Sequence, residues 1–163
     1  VDYREDHAVA AGVMFESWAA ETPVSVYHTF IESVEDYVSG QFYKRELPCI
    51  QALLRQHDLA PKCIVVDGFV VLGAEQKPGL GMYLYNALEQ KIPVVGVAKK
   101  SFAGVDGDAE IYRGESSKAL FVSAVGIELK EAKMHIKNMH GKFRLPNLLK
   151  LADTECRRVS LLL

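Results

Sequence analysis

Two apolar runs of the chain end in residues able to do chemistry. KCIVVDGF, residues 62–69, stops at Asp67, and IPVVGVAKKSFAG, residues 92–104, passes into the pair Lys99 and Lys100. Buried parallel strands read as unbroken valine and isoleucine runs, and open α/β sheets hold their ligands at the carboxyl ends of such strands. Asp67 and Lys99 are therefore expected side by side at one sheet edge. A carboxylate and an amine delivered this way point to metal-assisted work on a phosphate. Two more acids stand where elements begin: Asp2 ahead of a hairpin, and Glu46 behind Tyr43, Lys44 and Arg45 at the start of a helix. Oxygen ligands suit magnesium, which takes one or two carboxylates and keeps its waters for the substrate phosphate. Such a site can activate water for phosphodiester hydrolysis, with Lys99 offsetting charge in the transition state. Plainer readings stand beside this one. A helix dipole alone favours Glu46 in a first turn, Asp-Gly after a strand is a common turn, and a lysine pair can be a solvated strand end.

The elements that must position these residues are legible in the patterning. Residues 7–18 and 24–34 alternate and are separated by the turn AAETP, which predicts an antiparallel hairpin. Residues 45–58 carry Leu47, Ile50, Leu53 and Leu54 at helical spacing, with Pro48 expected in the first turn. A strand over 64–66, a glycine-rich loop, a helix over about 80–90 and a strand over 94–98 follow. Residues 104–117 read as polar and irregular, 119–125 as a strand, 130–139 as a helix. A last helix over about 147–158 is entered through Pro146. Hairpin strands followed by strand–helix alternation predict an α/β fold, a mixed central sheet flanked by helices, in one domain spanning 1–163.

With 163 residues, 49% of them hydrophobic, the chain can bury a core, and its 25% charged fraction excludes a disordered composition. No apolar run approaches the roughly 18 residues that cross a membrane, and nothing resembles a signal peptide. Cys49, Cys63 and Cys156 are odd in number and lack metal-ligand spacing, so structural thiols in a reducing, cytoplasmic compartment are expected. The net charge of −2 argues against strong non-specific binding to nucleic acid but leaves an acidic metal site open. His28, His57, His135 and His140 read as surface or satisfied histidines. His7, close to Asp2, stays open as a ligand.

At this point the order of motifs carries a family likeness. Asp2, then SGQFYKRELP (39–48), IVVDG (64–68), IPVVGVAKKSFAG (92–104) and FRLPNLLKLAD (143–153) together resemble endonuclease V over nearly the whole chain. The resemblance implies an RNase H-like fold and a DNA-repair hydrolase that uses magnesium, with manganese as a substitute. It implies cleavage near deaminated bases, deoxyinosine in DNA or inosine in RNA, and hence a nucleic-acid partner. Residue by residue, Asp2, Glu46 and Asp67 match the family's acidic metal ligands. Glu46 would hold water at the metal, and Lys99 matches the active-site lysine. Tyr37 falls on the aromatic of the strand-separating wedge, Gly68 exposes backbone where the modified base is pocketed, and Lys100 is a further contact to nucleic acid.

The departures are as specific. The wedge, usually Pro-Tyr-Ile-Pro, is Asp36-Tyr37-Val38-Ser39, so both stiffening prolines are missing and the tip is expected to be looser. The loop after Asp67 is DGFVVLGAEQKPG, without the family's histidines and arginines. A later Gly-His is replaced near Gly126 and Ile127, and the RLPEPTR-type segment is RLPNLLK. Lost outer residues of this kind cost about 10- to 100-fold in metal affinity or activity. Two rivals therefore stand: a non-catalytic descendant that binds nucleic acid or protein, and a nuclease redirected to unstructured single strands. Family members also place a helix and most of a strand before the first aspartate. Here only Val1 precedes Asp2, so either that strand is truncated or residues are missing ahead of it.

Overall fold

The computed structural model describes residues 1–104 and 107–163, so part of the 104–117 stretch lies outside the described residues. The chain forms two compact units, Val1–Ala60 with Pro146–Leu163, and Pro61–Leu145.

In the first unit small residues decide the packing. β1 (Asp2–Tyr3), β2 (Ala8–Met14) and β3 (Ser25–Ile31) pair antiparallel in that order, and β2–β3 is the predicted hairpin. The Ala8, Ala10 and Gly12 side of β2 faces α1 (Phe42–Gln56), whose Cys49 and Leu53 close the core against it. A Cβ on Gly12 would lie 2.7 Å from Leu53 Cδ2, so the missing side chain sets how closely the helix approaches. α4 (Asn147–Ser160) packs along β2 and β1, with Leu148, Cys156 and Ser160 buried. It begins after Pro146, as the sequence predicts.

α1 starts three residues earlier than its apolar spacing suggests, because Gln41 and Lys44 already make turn hydrogen bonds to Val38 and Gln41 carbonyls. Two expectations change. Pro48 lies inside the helix beyond the first turn, where it removes the amide that would bond back to the Lys44 carbonyl. Glu46 also lies beyond the first turn, so the helix dipole does not account for it.

The second unit is built on a four-stranded mixed sheet ordered β4-β7-β9-β8. β4 (Ile64–Asp67) runs parallel to β7 (Val94–Ala98), and β9 (Leu120–Val125) is antiparallel to both β7 and β8 (Glu110–Ile111). All five residues of β7 are buried, as its unbroken apolar run requires. The predicted glycine-rich loop holds a small hairpin, β5 (Val71–Leu72) and β6 (Lys77–Pro78). α2 (Leu80–Ala87) crosses back to β7 and ends earlier than expected, since Glu89 and Gln90 adopt left-handed φ of 58° and 59°. α3 (Leu129–Asn138) buries Ala132 and Ile136 and packs on β9. No described helix is long and apolar enough to cross a membrane.

One buried cation organises the far side of this unit. Arg113 is only 4% exposed, and its guanidinium donates to five backbone carbonyls, those of Lys137, Met139, Gly141, Phe143 and Arg144. It thereby satisfies the loose carbonyls that follow α3 and fixes the loop leaving that helix. Gly114, with φ +57°, lets the chain pass beneath: a Cβ there would sit 2.1 Å from the Lys142 carbonyl oxygen.

All three cysteines are free. Burial pushes the Cys49 thiol up to about 11, helped by the nearby Glu46 charge, and burial also raises Cys63, so both stay protonated and inert near neutrality.

Replacing Arg113 with alanine orphans several buried carbonyls at once, each worth about 1–3 kcal/mol. Arg113→Ala should therefore lower stability by about 3 kcal/mol or more in urea denaturation, and Arg113→Lys by less. A midpoint unchanged in Arg113→Ala would refute this role.

Candidate functional site

In the second unit, the register pairs Asp67 with Val97, and the Gly68 amide donates to the Val97 carbonyl at 3.1 Å. Lys99 lies two residues beyond Val97, so the acid and the amine leave neighbouring strand ends at the same edge. Both are exposed, as is Lys100. This is the juxtaposition that the two apolar runs predict.

The backbone after Asp67 is held by a close approach. Gly68 takes φ +138° with open space at its Cβ position. A Cβ on Gly96 would lie 2.5 Å from the Gly68 carbonyl oxygen and 2.7 Å from Ser123 Oγ, so only glycine lets this loop fold over β7. Ser123 Oγ accepts from the Val70 amide at 2.9 Å, and the Gly79 and Gly81 amides donate to the Val70 and Phe69 carbonyls. The loop is pinned from three sides. It carries Phe69, whose ring meets Phe102 edge-on at 6.3 Å. Phe102 is half exposed beyond Lys100. Arg144, on the loop that Arg113 holds, donates through its guanidinium to the Lys99 carbonyl, tethering the lysine's backbone.

In the first unit, Asp2 pairs with Val9, and Tyr3 with Ala8. Successive side chains of a strand point to opposite faces, so Tyr3 joins Ala8 on the α1 face and Asp2 joins Val9 on the α4 face. Glu46 is 6% exposed and accepts a hydrogen bond from the Tyr3 hydroxyl. Burial raises the Tyr3 pKa, and the Glu46 charge raises it further, so Tyr3 remains the donor. The Arg45 guanidinium stacks 3.9 Å above the Tyr3 ring. On the other face Arg4 Nε sits 3.0 Å from Asp2 Oδ2 as an ion pair but donates its one proton to Ser160 Oγ at 2.8 Å. Asp2 Oδ2 is thus buried beside a cation yet receives no hydrogen bond.

His7 lies across the same turn as Arg4. Its Nδ1 is 2.7 Å from Asp6 Oδ1, its ring leans on Phe30, and its Nε2 is buried without a hydrogen-bond partner. His28 and His57 are engaged by Glu155 and by the His28 carbonyl, as the sequence reading expects of satisfied histidines. Tyr37 is 60% exposed on irregular backbone, with Val38 and Phe42 exposed nearby.

The donors available to a metal are therefore carboxylate oxygens, the set that suits a hard divalent cation. The undonated Oδ2 of Asp2 is the kind of orphaned atom that a cation would satisfy. Asp67 and Lys99 are brought together at one edge, whereas Asp2 and Glu46 attach to opposite faces of their sheet. Within each unit no three described His, Cys, Asp or Glu side chains gather into a metal-holding group. Sequence reasoning passed over Tyr3, Arg113 and Arg144. Only for Arg113 is a signal visible: in Ile111-Tyr112-Arg113 the alternation in, out, in puts the arginine on the buried side.

The family model for Endonuclease V matches residues 1–120. Endonuclease V of Streptomyces avermitilis is 30% identical over 179 residues, covering 96% of this chain and 76% of that protein. Among solved structures, Endonuclease V of Bacillus subtilis superposes with a TM-score of 0.70 at 19% identity, covering 95% of this chain and 81% of that one. Ciona intestinalis Endonuclease V, in complex with a 23mer DNA containing an inosine, gives 0.68 at 20% identity, covering 94% and 84%. The α/β, RNase H-like fold expected from the sequence is the fold of these neighbours. The chain belongs to the Endonuclease V family.

Proposed function

We propose that the chain works as one domain, residues 1–163, that hydrolyses phosphodiester bonds in DNA or RNA near deaminated bases such as inosine, as a magnesium-dependent endonuclease. The observation that carries this reading is the pairing of β4 with β7, which delivers Asp67 and Lys99 to one edge. Family membership supports it, as does the inosine-containing DNA bound by the Ciona relative. On this reading Asp67 is offered to the metal and, as the family likeness implies, so are Asp2 and Glu46, although these two stand on opposite faces of their own sheet; manganese would replace magnesium. The bound ion supplies Lewis acidity toward the phosphate. Lys99 places a compact positive charge beside the phosphate, and the Arg144 tether holds the backbone from which it extends. Gly68 leaves room for a base against backbone, Tyr37 contacts the nucleic acid at the lesion, and Lys100 contacts its phosphates. The three free cysteines accord with a cytoplasmic setting, and family membership accords with a role in repair.

A second reading, a non-catalytic descendant of the fold, is favoured by two contacts. Tyr3 occupies an oxygen of Glu46, and Arg4 faces Asp2. Both acids are compensated by protein groups.

Calorimetry with magnesium or manganese, run on wild type and Asp67→Asn, separates the two readings. Stoichiometric binding lost in the variant, with cleavage of an inosine-containing oligonucleotide falling by about 100-fold or more, is the expected result. Undiminished cleavage by Asp67→Asn would end the hydrolytic reading at this site. Tyr3→Phe tests Glu46 separately. It strips a donor from a buried carboxylate, so the metal-free protein should lose about 1–3 kcal/mol of stability. Magnesium should then raise the melting temperature of Tyr3→Phe more than that of wild type, since ligand binding stabilises the state that binds. Equal magnesium shifts in both proteins would remove Glu46 from the metal set.

A further inference from the structure

The loop that Arg113 holds presents an aromatic to solvent amid positive charge. Phe143 is 66% exposed, although the carbonyls on either side of the loop are fixed by a buried guanidinium. Lys142 Nζ lies 5.4 Å from the centre of its ring, and the next residue, Arg144, reaches the Lys99 backbone. An exposed phenylalanine on mobile backbone would be ordinary; one on a loop whose Met139, Gly141, Phe143 and Arg144 carbonyls are all held by Arg113 is a prepared surface.

A second observation lies on the other side of Arg113. A shallow groove between β8 and α3 is lined by Glu110, Tyr112, Lys130, Lys133, Met134 and Lys137. Its three lysines stand along one helix facing Glu110; Lys133 Nζ donates to the Asp108 carbonyl, and Tyr112, half exposed, donates its hydroxyl to Glu110. Arg113 follows Tyr112 in the chain and bonds both the Lys137 and the Phe143 carbonyls, so groove and loop are anchored on the same buried side chain. Lysines along a groove with interspersed aromatics suit a flexible polyanion whose bases can stack, which is single-stranded nucleic acid. A duplex keeps its bases stacked internally and offers an aromatic ring nothing to pair with.

We propose that this surface binds a single strand of nucleic acid, with the β8–α3 lysines along its phosphates and Phe143 stacked on an unpaired base. The proposal rests on the reading that the chain handles nucleic acid and deepens it by naming the form of the substrate. It gives the chain a means of holding an extruded or unpaired base that does not depend on the proline-free tip at Asp36–Ser39.

The test is fluorescence anisotropy in chelator, where nothing is cut, with a labelled 12-nucleotide DNA strand and an abasic strand of equal length. Wild type should bind the base-bearing strand more tightly than the abasic one. Phe143→Ala should weaken only the base-bearing strand, by about 5- to 150-fold, and Phe143→Trp should retain it. The double variant Lys130→Ser, Lys137→Ser should reduce the slope of log affinity against log salt by about 1.4. Unaltered binding by Phe143→Ala would overturn the proposal and leave the hydrolytic reading intact. Binding that depends on Phe143, in a protein that cuts no oligonucleotide in magnesium, would uphold the proposal and remove hydrolysis. Wild type binding neither strand would overturn the proposal, with the cleavage assay then deciding the other reading by itself.

Discussion

The parallel pairing of β4 with β7 is the constraint on which the second unit depends. β7 is buried along its whole length, which demands cover for both of its faces and partners for both of its edges. β4 and β9 supply the edges. The loop after Asp67 supplies part of the cover, and Gly96 is the position that lets it descend, since any Cβ there would strike the Gly68 carbonyl. Once the loop is seated, with Val70 on Ser123, Asp67 cannot slide relative to Val97 without breaking both contacts. The placement of the acid and of the lysine beyond Val97 thus follows from the packing of an apolar strand. Residues that do no chemistry fix those that could.

The first unit solves a different problem, a carboxylate buried against small side chains. Alanines and a glycine on β2 bring α1 close, and the closeness dehydrates Glu46. A buried charge needs a donor, and Tyr3 provides it from the neighbouring strand, itself steadied by the Arg45 guanidinium above its ring. Arg45 adjoins Glu46 in the chain, but Tyr3 lies 43 residues away from it, so the compensation for the acid is set by the fold that brings β1 to α1.

The hairpin, the buried strands and most helices were legible because each depends on a short-range period: alternation over residues 8–14 and 25–31, unbroken apolar runs at 64–66 and 94–98, Pro146 before α4. The start of α1 was less legible, because Pro48 resembles a helix entrance, whereas the turn bonds of Gln41 and Lys44 begin the winding earlier. At the site, Asp67 and Lys99 could be placed because parallel strands order their ends. The partition of Asp2 and Glu46 between two faces could not, since it depends on a two-residue strand whose register only the folded sheet sets. Arg113 illustrates the same limit. Alternation marks it as inward-facing, but its five acceptors lie 24 to 31 residues further along the chain.

Compensation within the chain bears directly on metal affinity. Acids gathered solely to receive a cation repel one another when it is absent, and that repulsion is relieved on binding. Here the Tyr3 hydroxyl already holds Glu46 and the Arg4 guanidinium already faces Asp2, so less strain remains for a cation to relieve. Against this stands the geometry of Arg4: its Nε proton is spent on Ser160, so Asp2 Oδ2 gains charge but no hydrogen bond. The two acids therefore differ in what a cation must overcome. Binding at Glu46 displaces a hydrogen bond, whereas binding at Asp2 competes only with an ion pair, whose net contribution to stability is small when partly solvated. On the proposed reading Asp2 is the acid that yields first. A magnesium affinity weaker than that of an uncompensated site then follows from the chain's own side chains, without appeal to the histidines it lacks.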